Sequence, residues 1–306
     1  MQILVSLISN PTNVIPVWAA FTDAMNAIPG LEITLIGSSA TNACVRKHPA
    51  VTRFIDVQEE DWQQPFWKPA YWRARRNLNE GLGKSLQEES TVWIDPFGTP
   101  QTRAQIRGRS GRRVGIAHQT QPQLNRDYSS VFPVPVELHP VQALRVLFAA
   151  ELGYSLHDLE PDYGFHSREQ DAPVETDIVI DLRDTPWSVD EKQFFRERLS
   201  ETNLSIAYLD FSNPDLEEAA QLLAHWPLIA DARYILSGLN STAWLAAALG
   251  RPGLCLCPPE QATSRGVIST HWATQKIINI DHNPFNEPHI VVESIIQVLQ
   301  RHHQAP

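Results

Sequence analysis

Residues 2–37 decide the fold class, and they read QILVSLISNPTNVIPVWAAFTDAMNAIPGLEITLIG. The stretch opens with a short apolar run at 2–6 that predicts a buried strand, and a second such run follows at 31–37. Between them a helical pattern extends over 14–28, where a Pro-Gly pair ends it. Two strands joined by a helix form a βαβ unit, and its strands are parallel because the helix carries the chain back. We therefore predict an α/β fold with a mostly parallel sheet.

The same alternation of strands and helices continues along the chain. In the first half it predicts strands at 54–57, 91–95 and 113–117, and helices at 65–87 and 139–152. A polar stretch at 156–176 contains two prolines and a glycine, which is typical of a linker. The pattern then restarts with strands at 177–182, 204–209, 233–237, 253–257 and 276–280, and helices at 190–200, 214–224, 241–249 and 287–300. Two similar α/β halves result, and we expect their sheets to face a cleft.

The composition narrows the classes of function. The length of 306 residues suits about two domains. Lys and Arg total 25 against 35 Asp and Glu, and the formal charge of −10 argues against a nucleic-acid partner, which would need a cationic face. Three cysteines are too few for a disulfide framework, so a reducing compartment is expected. Without a visible signal peptide or membrane-spanning run, we predict a cytoplasmic protein and leave open a peripheral membrane contact.

The loop after the first predicted strand is the first candidate site. It reads Ser-Asn-Pro-Thr-Asn at 9–13 and leads into a helix whose exposed amides favour an anion or a polar ligand. The alternative is that Thr12 or Asn13 simply caps the helix. Asp95 ends another predicted strand and would face the same cleft. The chain has neither a G-x-G-x-x-G fingerprint nor a P-loop, and the spacing of its His and Cys residues does not indicate a metal site.

The strongest local signal of the second half is the turn at 236–244, LSGLNSTAW. A strand ends there and a helix of small residues begins, so Asn240, Ser241 and Thr242 could donate hydrogen bonds to a phosphate. The alternative is a capped, Ala-rich helix packed on the sheet. Glu217 and Glu218 begin the helix that follows the predicted strand 204–209, where an acid could accept from ribose hydroxyls or complement the helix dipole.

Several segments occur in an order and spacing that point to a family: MQILVS at 1–6, FTDA at 21–24, AIPG at 27–30, WID at 93–95 with Gly98, HPVQALRVLFAAELGY at 139–154, and 237–252. Together they resemble the heptosyltransferases of lipopolysaccharide inner-core assembly (glycosyltransferase family 9), the heptosyltransferase I branch in particular, over nearly the whole chain. The resemblance implies a GT-B fold. Its expected parts are a Rossmann-like acceptor-side domain at 1–155, a linker at 156–176, a Rossmann-like nucleotide-sugar domain at 177–286, and a C-terminal helix at 287–306 that packs back on the first domain.

The resemblance also implies inverting, metal-independent transfer from ADP-heptose, with a carboxylate in the first loop as general base. By collinear placement that carboxylate falls on Asn13, with Thr12 where the family has Gly. An amide cannot take the proton. As replacement bases in the first domain we nominate Asp95, His118 and His139, and we assign Thr12, Asn10 and His118 to the acceptor side.

We assign six residues to the donor side: Arg183, Thr185, Glu217, Asn240, Ser241 and Thr242. Of these, the resemblance matches Glu217 to the family's ribose-contacting Glu. Two stretches depart from the family's pattern. An Asp-Thr-Gly-Leu-Ser-His turn becomes LNSTAW at 239–244, and a loop with Thr and Lys becomes RDTPW at 183–187. In addition, the acidic stretch 60–64 replaces a basic cluster, so a neutral acceptor fits better than an anionic lipid.

We weigh two main functions. The first is a diverged glycosyltransferase that uses a nucleotide sugar, no metal or other cofactor, and a glycan or lipid-linked saccharide acceptor, with peripheral contact to the inner membrane left open. The second is a sugar-nucleotide-binding pseudoenzyme or scaffold that lacks the base. A hinged solute-binding protein also fits two α/β halves, but the missing signal peptide argues against it.

Overall fold

The computed structural model describes residues 1–7, 11–83, 91–116, 122–135, 138–157, 160–165 and 176–257, together with residues 293, 296 and 297. The chain divides into two units. The first comprises Met1–Gly164 with Glu217–Ala220, and the second Phe165–Leu216 with Gln221–Pro306. The division falls inside the predicted linker, 156–176. The predicted strand at 276–280 lies outside the described residues, as does nearly all of the predicted helix at 287–300.

The first unit is built on a six-stranded sheet. Its strands are β1 (Gln2–Ser6), β2 (Glu32–Gly37), β3 (Val51–Asp56), β4 (Val92–Asp95), β5 (Arg112–Ile116) and β6 (Ser130–Phe132). They pair in parallel in the order β3-β2-β1-β4-β5-β6, which is the Rossmann order. The strand order reverses between β1 and β4. In open α/β sheets such a switch point forms a crevice at the carboxyl ends of the strands, where ligands bind.

Among the described residues, seven α-helices accompany this sheet: α1 (Pro11–Val14), α2 (Trp18–Ala27), α3 (Ser39–Val45), α4 (Glu59–Gln63), α5 (Pro69–Leu82), α6 (Pro100–Ile106) and α7 (Pro140–Leu152). The sequence predicted one helix over 14–28, but a 3₁₀ turn at Ile15–Val17 separates α1 from α2. Pro16 lies in that turn and has no backbone N–H to donate to the preceding turn. Because β1 and β4 are buried on both faces, they read as continuous apolar runs, and that is why they were predicted well.

The second unit carries a four-stranded parallel sheet in the order β10-β9-β7-β8. Its strands are β7 (Ile178–Asp181), β8 (Ile206–Tyr208), β9 (Tyr234–Gly238) and β10 (Gly253–Leu256). Its helices among the described residues are α8 (Val189–Ser200), α10 (Ser241–Ala248) and α9 (Glu218–Asp231), except that the first residues of α9 fall in the Glu217–Ala220 part of the first unit. The order reverses between β7 and β9, so this sheet has its own switch point. The α/β class predicted from sequence is confirmed in both units. Within the described residues, no helix combines the length and apolar character needed to cross a bilayer.

Candidate functional site

In the first unit, the loops after β1 and β4 flank the switch point of the sheet. Helix α1 follows the first loop and carries Thr12, which is half-buried, and Asn13, which is exposed to solvent. Asn10 and His118 lie outside the described residues. Asn13 therefore follows the carboxyl end of β1, the edge at which an α/β sheet places its ligand.

Asp95 ends β4 and is fully buried. Its Oδ1 accepts hydrogen bonds from the backbone N–H groups of Phe97 (3.1 Å) and Gly98 (2.8 Å), and its Oδ2 accepts one from the Tyr128 hydroxyl (2.8 Å). Burial raises the pKa of Asp95, against the opposing effect of these hydrogen bonds. The carboxylate thus fixes the turn to α6 and does not reach a surface where an acceptor hydroxyl could approach it.

His139 caps the N-terminus of α7. Its Nδ1 accepts a hydrogen bond from the backbone N–H of Val141 (3.2 Å). With Nδ1 acting as acceptor, we infer that the neutral ring carries its proton on Nε2. In that tautomer the lone pair that a general base needs is already engaged in the cap.

In the first unit, a cavity of about 330 Å³ contains a carboxylate other than that of Asp95, namely that of Glu59. It is lined by Pro11, Ser38, Thr41, Glu59, Glu217, Glu218 and Ala219. Pro11 belongs to the same short helix as Asn13, and Glu59 begins α4. Burial and the neighbouring carboxylates of Glu60 and Glu217 raise the pKa of Glu59. A carboxylate whose pKa is raised is a stronger base than an unperturbed one, which favours a role in accepting a proton.

The sequence reasoning missed Glu59. It noticed the acidic stretch 60–64 but treated it only as a change in charge. A usable signal was present, because Glu59 follows the carboxyl end of β3 by three residues, and this edge of a parallel sheet carries the functional loops. Glu217, which was predicted, is exposed and lines the same cavity.

In the second unit, the loops after β7 and β9 meet at the switch point. A Cβ at Gly238 would overlap the carbonyl oxygen of Arg183, so only glycine allows this approach. The side-chain amide of Asn240 donates to the same carbonyl (3.3 Å). The structure therefore brings together five of the predicted donor residues: Arg183, Thr185, Asn240, Ser241 and Thr242.

These loops are organised around Asp181, a fully buried carboxylate at the end of β7 that the sequence reasoning did not single out. It accepts from the backbone N–H of Arg183 (3.0 Å), from Arg183 Nη2 (2.8 Å) and from the Thr242 hydroxyl (2.7 Å). The Arg183 guanidinium also lies over the ring of Phe211, 3.2 Å from its centroid. Its side chain remains 30% exposed, so its position is fixed while part of it still faces solvent.

Other polar side chains of the loops after β7 and β9 form hydrogen bonds with backbone groups. Asn240 is the N-cap of α10 and its Oδ1 accepts from the N–H groups of Thr242 (3.0 Å) and Ala243 (3.4 Å). The Thr185 hydroxyl donates to the carbonyl of Leu182 (2.9 Å). For these side chains the structure shows the capped-helix alternative. Their contact with a phosphate stays a prediction.

Within the part of the chain that the structure describes, no group of three or more His, Cys, Asp or Glu side chains could hold a metal ion. The three cysteines are free thiols and are buried.

No family model matches the chain. The lipopolysaccharide heptosyltransferase 1 of Pseudomonas aeruginosa is 26% identical over 92% of this chain and 84% of its own length. The enzyme of the same name from Escherichia coli K12 is 25% identical over 90% of this chain and 93% of its own length.

Among solved structures, the E. coli heptosyltransferase WaaC with ADP superposes with a TM-score of 0.75 at 21% identity, covering 99% of this chain and 100% of that one. A glycosyl transferase of family 9 from Veillonella parvula gives a TM-score of 0.65 at 11% identity, covering 98% and 97%. These likenesses confirm the α/β fold of GT-B type with two Rossmann-like units. The resemblance to family 9 heptosyltransferases is confirmed as well.

Proposed function

We propose that this heptosyltransferase-like chain is a glycosyltransferase that transfers a sugar, with inversion, from a nucleoside-diphosphate donor to a glycan acceptor. ADP-heptose or a related sugar nucleotide is the proposed donor, and a glycan or lipopolysaccharide-core saccharide the acceptor. The proposal is supported by similarity to lipopolysaccharide heptosyltransferase 1 over about nine-tenths of the chain. One structural observation carries it: Glu59, whose pKa is raised, lines a cavity beside the helix that holds Asn13.

The donor is proposed to bind at the switch point of the second sheet. The diphosphate would lie near the N-terminus of α10, where backbone amides and the helix dipole favour negative charge. Arg183 supplies a positioned guanidinium there, and guanidinium groups bind phosphate oxygens in bidentate geometry. Glu217 is proposed to accept from the ribose hydroxyls.

The acceptor hydroxyl is proposed to lose its proton to the Glu59 carboxylate. Its oxygen forms the new bond to the anomeric carbon as the bond from that carbon to the diphosphate breaks, and the nucleoside diphosphate leaves with the bonding pair. Asn13 cannot accept the proton, but its amide can orient the hydroxyl by hydrogen bonding. As the resemblance implies, the transfer is expected to need no metal and to persist in EDTA.

Charge selects among acceptors. Glu59, Glu60 and Asp61 form the first turn of α4, and they would repel a phosphorylated or acidic saccharide. Among glycans and lipopolysaccharide-core saccharides, a neutral acceptor is therefore proposed over an anionic one.

The test is a transfer assay read by mass spectrometry, with ADP-, UDP-, GDP- and dTDP-sugars and a panel of neutral glycans. Glu59→Gln is expected to lower the turnover of whichever pair reacts by about 100-fold or more, the usual contribution of a general base. Asp61→Asn is the matched control, because it removes a carboxylate of the same helix that is not among the groups raising the pKa of Glu59, and it should leave turnover near that of the wild type. Equal activity in the two variants would contradict the assignment of Glu59.

A sugar-nucleotide-binding pseudoenzyme is the second candidate. It is favoured by the amide at Asn13 and by the engagement of Asp95 and His139 in hydrogen bonds within the fold. Saturable donor binding without product from any acceptor, in the wild type and in Asn13→Asp alike, would support it over the enzyme.

A further inference from the structure

The first unit exposes three large aromatic side chains within a single seven-residue stretch. Phe66, Trp67 and Trp72 are 61, 68 and 54% exposed. Phe66 and Trp67 lie in a run of exposed residues between α4 and α5, and Trp72 lies in the first turns of α5. Among the described residues of this unit, no other aromatic side chain is so exposed. We call these three residues the aromatic patch.

One ring of the aromatic patch, that of Trp72, packs on the core of the unit. Tyr71 is buried and packs edge-on against the buried Trp62, with ring centroids 5.7 Å apart, and both belong to the core of the unit. Trp72 packs against Tyr71 at the same separation. Trp72 is therefore held against the core through Tyr71, while Phe66 and Trp67 pack edge-on against each other with ring centroids 5.1 Å apart, and these contacts lower the conformational entropy that binding must remove.

Positive charge accompanies these rings. The stretch 65–76 contains Lys68, Arg73, Arg75 and Arg76 and no acidic residue, in a chain whose formal charge is −10. Lys68 and Arg76 are exposed and take part in no ion pair among the described residues. Arg73 instead lines a cavity with acidic residues of α4, and Arg75 donates to the carbonyl of Arg107.

We propose that the aromatic patch, with Lys68 and Arg76, docks the protein on the headgroup layer of an anionic phospholipid bilayer. Trp is enriched at the membrane–water interface, because its ring is apolar and its N–H is polar. Exposed Lys and Arg next to such rings add attraction to anionic headgroups. A second copy of the chain is a poorer occupant, because a symmetric contact would bring the same cations face to face.

The test is co-sedimentation of the full-length chain with sucrose-loaded vesicles of phosphatidylcholine containing about one-third phosphatidylglycerol, a composition that presents anionic headgroups. The wild type is expected to bind these vesicles and to be released by salt. The double variant Trp67→Ser/Trp72→Ser should lower the partition coefficient at least about tenfold, because it removes the interfacial apolar area. Lys68→Gln/Arg76→Gln should weaken binding to the anionic vesicles and leave the weaker binding to pure phosphatidylcholine unchanged.

The control is Val189→Ser/Phe194→Ser, which removes two exposed apolar side chains from α8 of the second unit. It should bind like the wild type. Wild-type protein that stays in the supernatant at low salt, or aromatic-patch variants that bind as the wild type does, would overturn the proposal. The proposal would also be overturned if light scattering without vesicles gave a different oligomeric mass for the aromatic-patch variants than for the wild type. That result would assign the aromatic patch to a contact between copies of the chain. Vesicle binding is measured without donor or acceptor. A protein that does not bind vesicles therefore contradicts the docking proposal alone and leaves the proposed transferase activity to its own assay.

Discussion

At the scale of single residues, the proposed transfer depends on which side chain takes the acceptor proton. Asn13 lies on α1 and Glu59 on α4, and the cavity that Glu59 lines also includes Pro11 of α1. Asn13→Asp places a carboxylate where the family resemblance expects one. We expect this variant to raise turnover in the mass-spectrometric transfer assay.

The same substitution should make Glu59→Gln less harmful, because two carboxylates would then share one role. The turnover of the double variant Asn13→Asp/Glu59→Gln, compared with that of the two single variants, measures the coupling between these positions. No gain from Asn13→Asp, with donor binding intact, would mean that the acceptor position itself has moved away from α1.

His48 gives a residue-scale prediction about pH. It is buried, its Nδ1 accepts from the N–H of Ala50 (3.2 Å), and its Nε2 lies 3.1 Å from the hydroxyl of Thr22. Burial lowers the pKa of His48 from the ordinary 6.5 to about 4. The unfolded chain therefore binds more protons between these two pH values, and the free energy of unfolding falls as pH drops through that window.

Urea unfolding checks this prediction. From pH 7.5 to pH 5 the wild type should lose about 2 kcal/mol of stability through His48 alone. His48→Gln should lack that part of the loss, while His157→Gln, a change at an exposed histidine, should follow the wild type. A pH dependence in His48→Gln equal to that of the wild type would show that His48 is not the group responsible.

At the scale of elements, α2 and α7 are joined by a buried ion pair. Arg145 is 1% exposed and donates to both carboxylate oxygens of Asp23, through Nε (2.6 Å) and Nη2 (3.2 Å). The two residues belong to segments, FTDA and HPVQALRVLFAAELGY, on which the family resemblance was first based. Part of that sequence signal therefore reports the packing of two helices and says nothing about chemistry.

Breaking this pair should be costly. Arg145→Met leaves a largely buried carboxylate unpaired, and we expect a loss of about 3–5 kcal/mol in urea unfolding. Arg145→Met/Asp23→Leu should recover much of it, because the uncompensated charge is gone. Arg46→Ala breaks an exposed pair with Asp56 and should cost about 1 kcal/mol or less. An Arg145→Met protein as stable as Arg46→Ala would contradict this account.

The elements that could be predicted from the sequence were the long or doubly buried ones. Strands β1, β2 and β4 and helices α5 and α7 follow from apolar runs and helical periodicity. The prediction missed α3, α4, α6 and β6, which have three to seven residues and so carry too little periodicity to be recognised. Helix α9 begins at Glu218 instead of 214 and continues past Pro227 to Asp231, where tertiary packing overrides the local preference of proline.

For the candidate site, the sequence predicted where the side chains lie in the fold better than it predicted which groups they contact. Parallel sheets put functional loops at the carboxyl ends of strands, and five of the six predicted donor residues do gather at the switch point between β7 and β9. What sequence spacing cannot provide is the three-dimensional partner of each side chain. Asp95 and Thr242 are engaged in buried hydrogen bonds, and only the folded chain reveals the cavity that Glu59 lines.

At the scale of the whole molecule, the chain has two Rossmann-like units of GT-B type, and Asn13 stands where the family resemblance expects a carboxylate. The formal charge of −10 works against nucleic acid and against anionic acceptors. Fold likeness does not by itself establish an activity, so the central claim is that the chain binds a sugar nucleotide.

The most direct measurement of that claim is calorimetric titration of the full-length protein with ADP, UDP, GDP and TDP. We predict saturable binding at one site for one of the four, with Arg183→Gln weakening it through loss of the guanidinium at the β7–β9 switch point. Heats indistinguishable from dilution for all four nucleotides would contradict both the transferase and the nucleotide-binding pseudoenzyme.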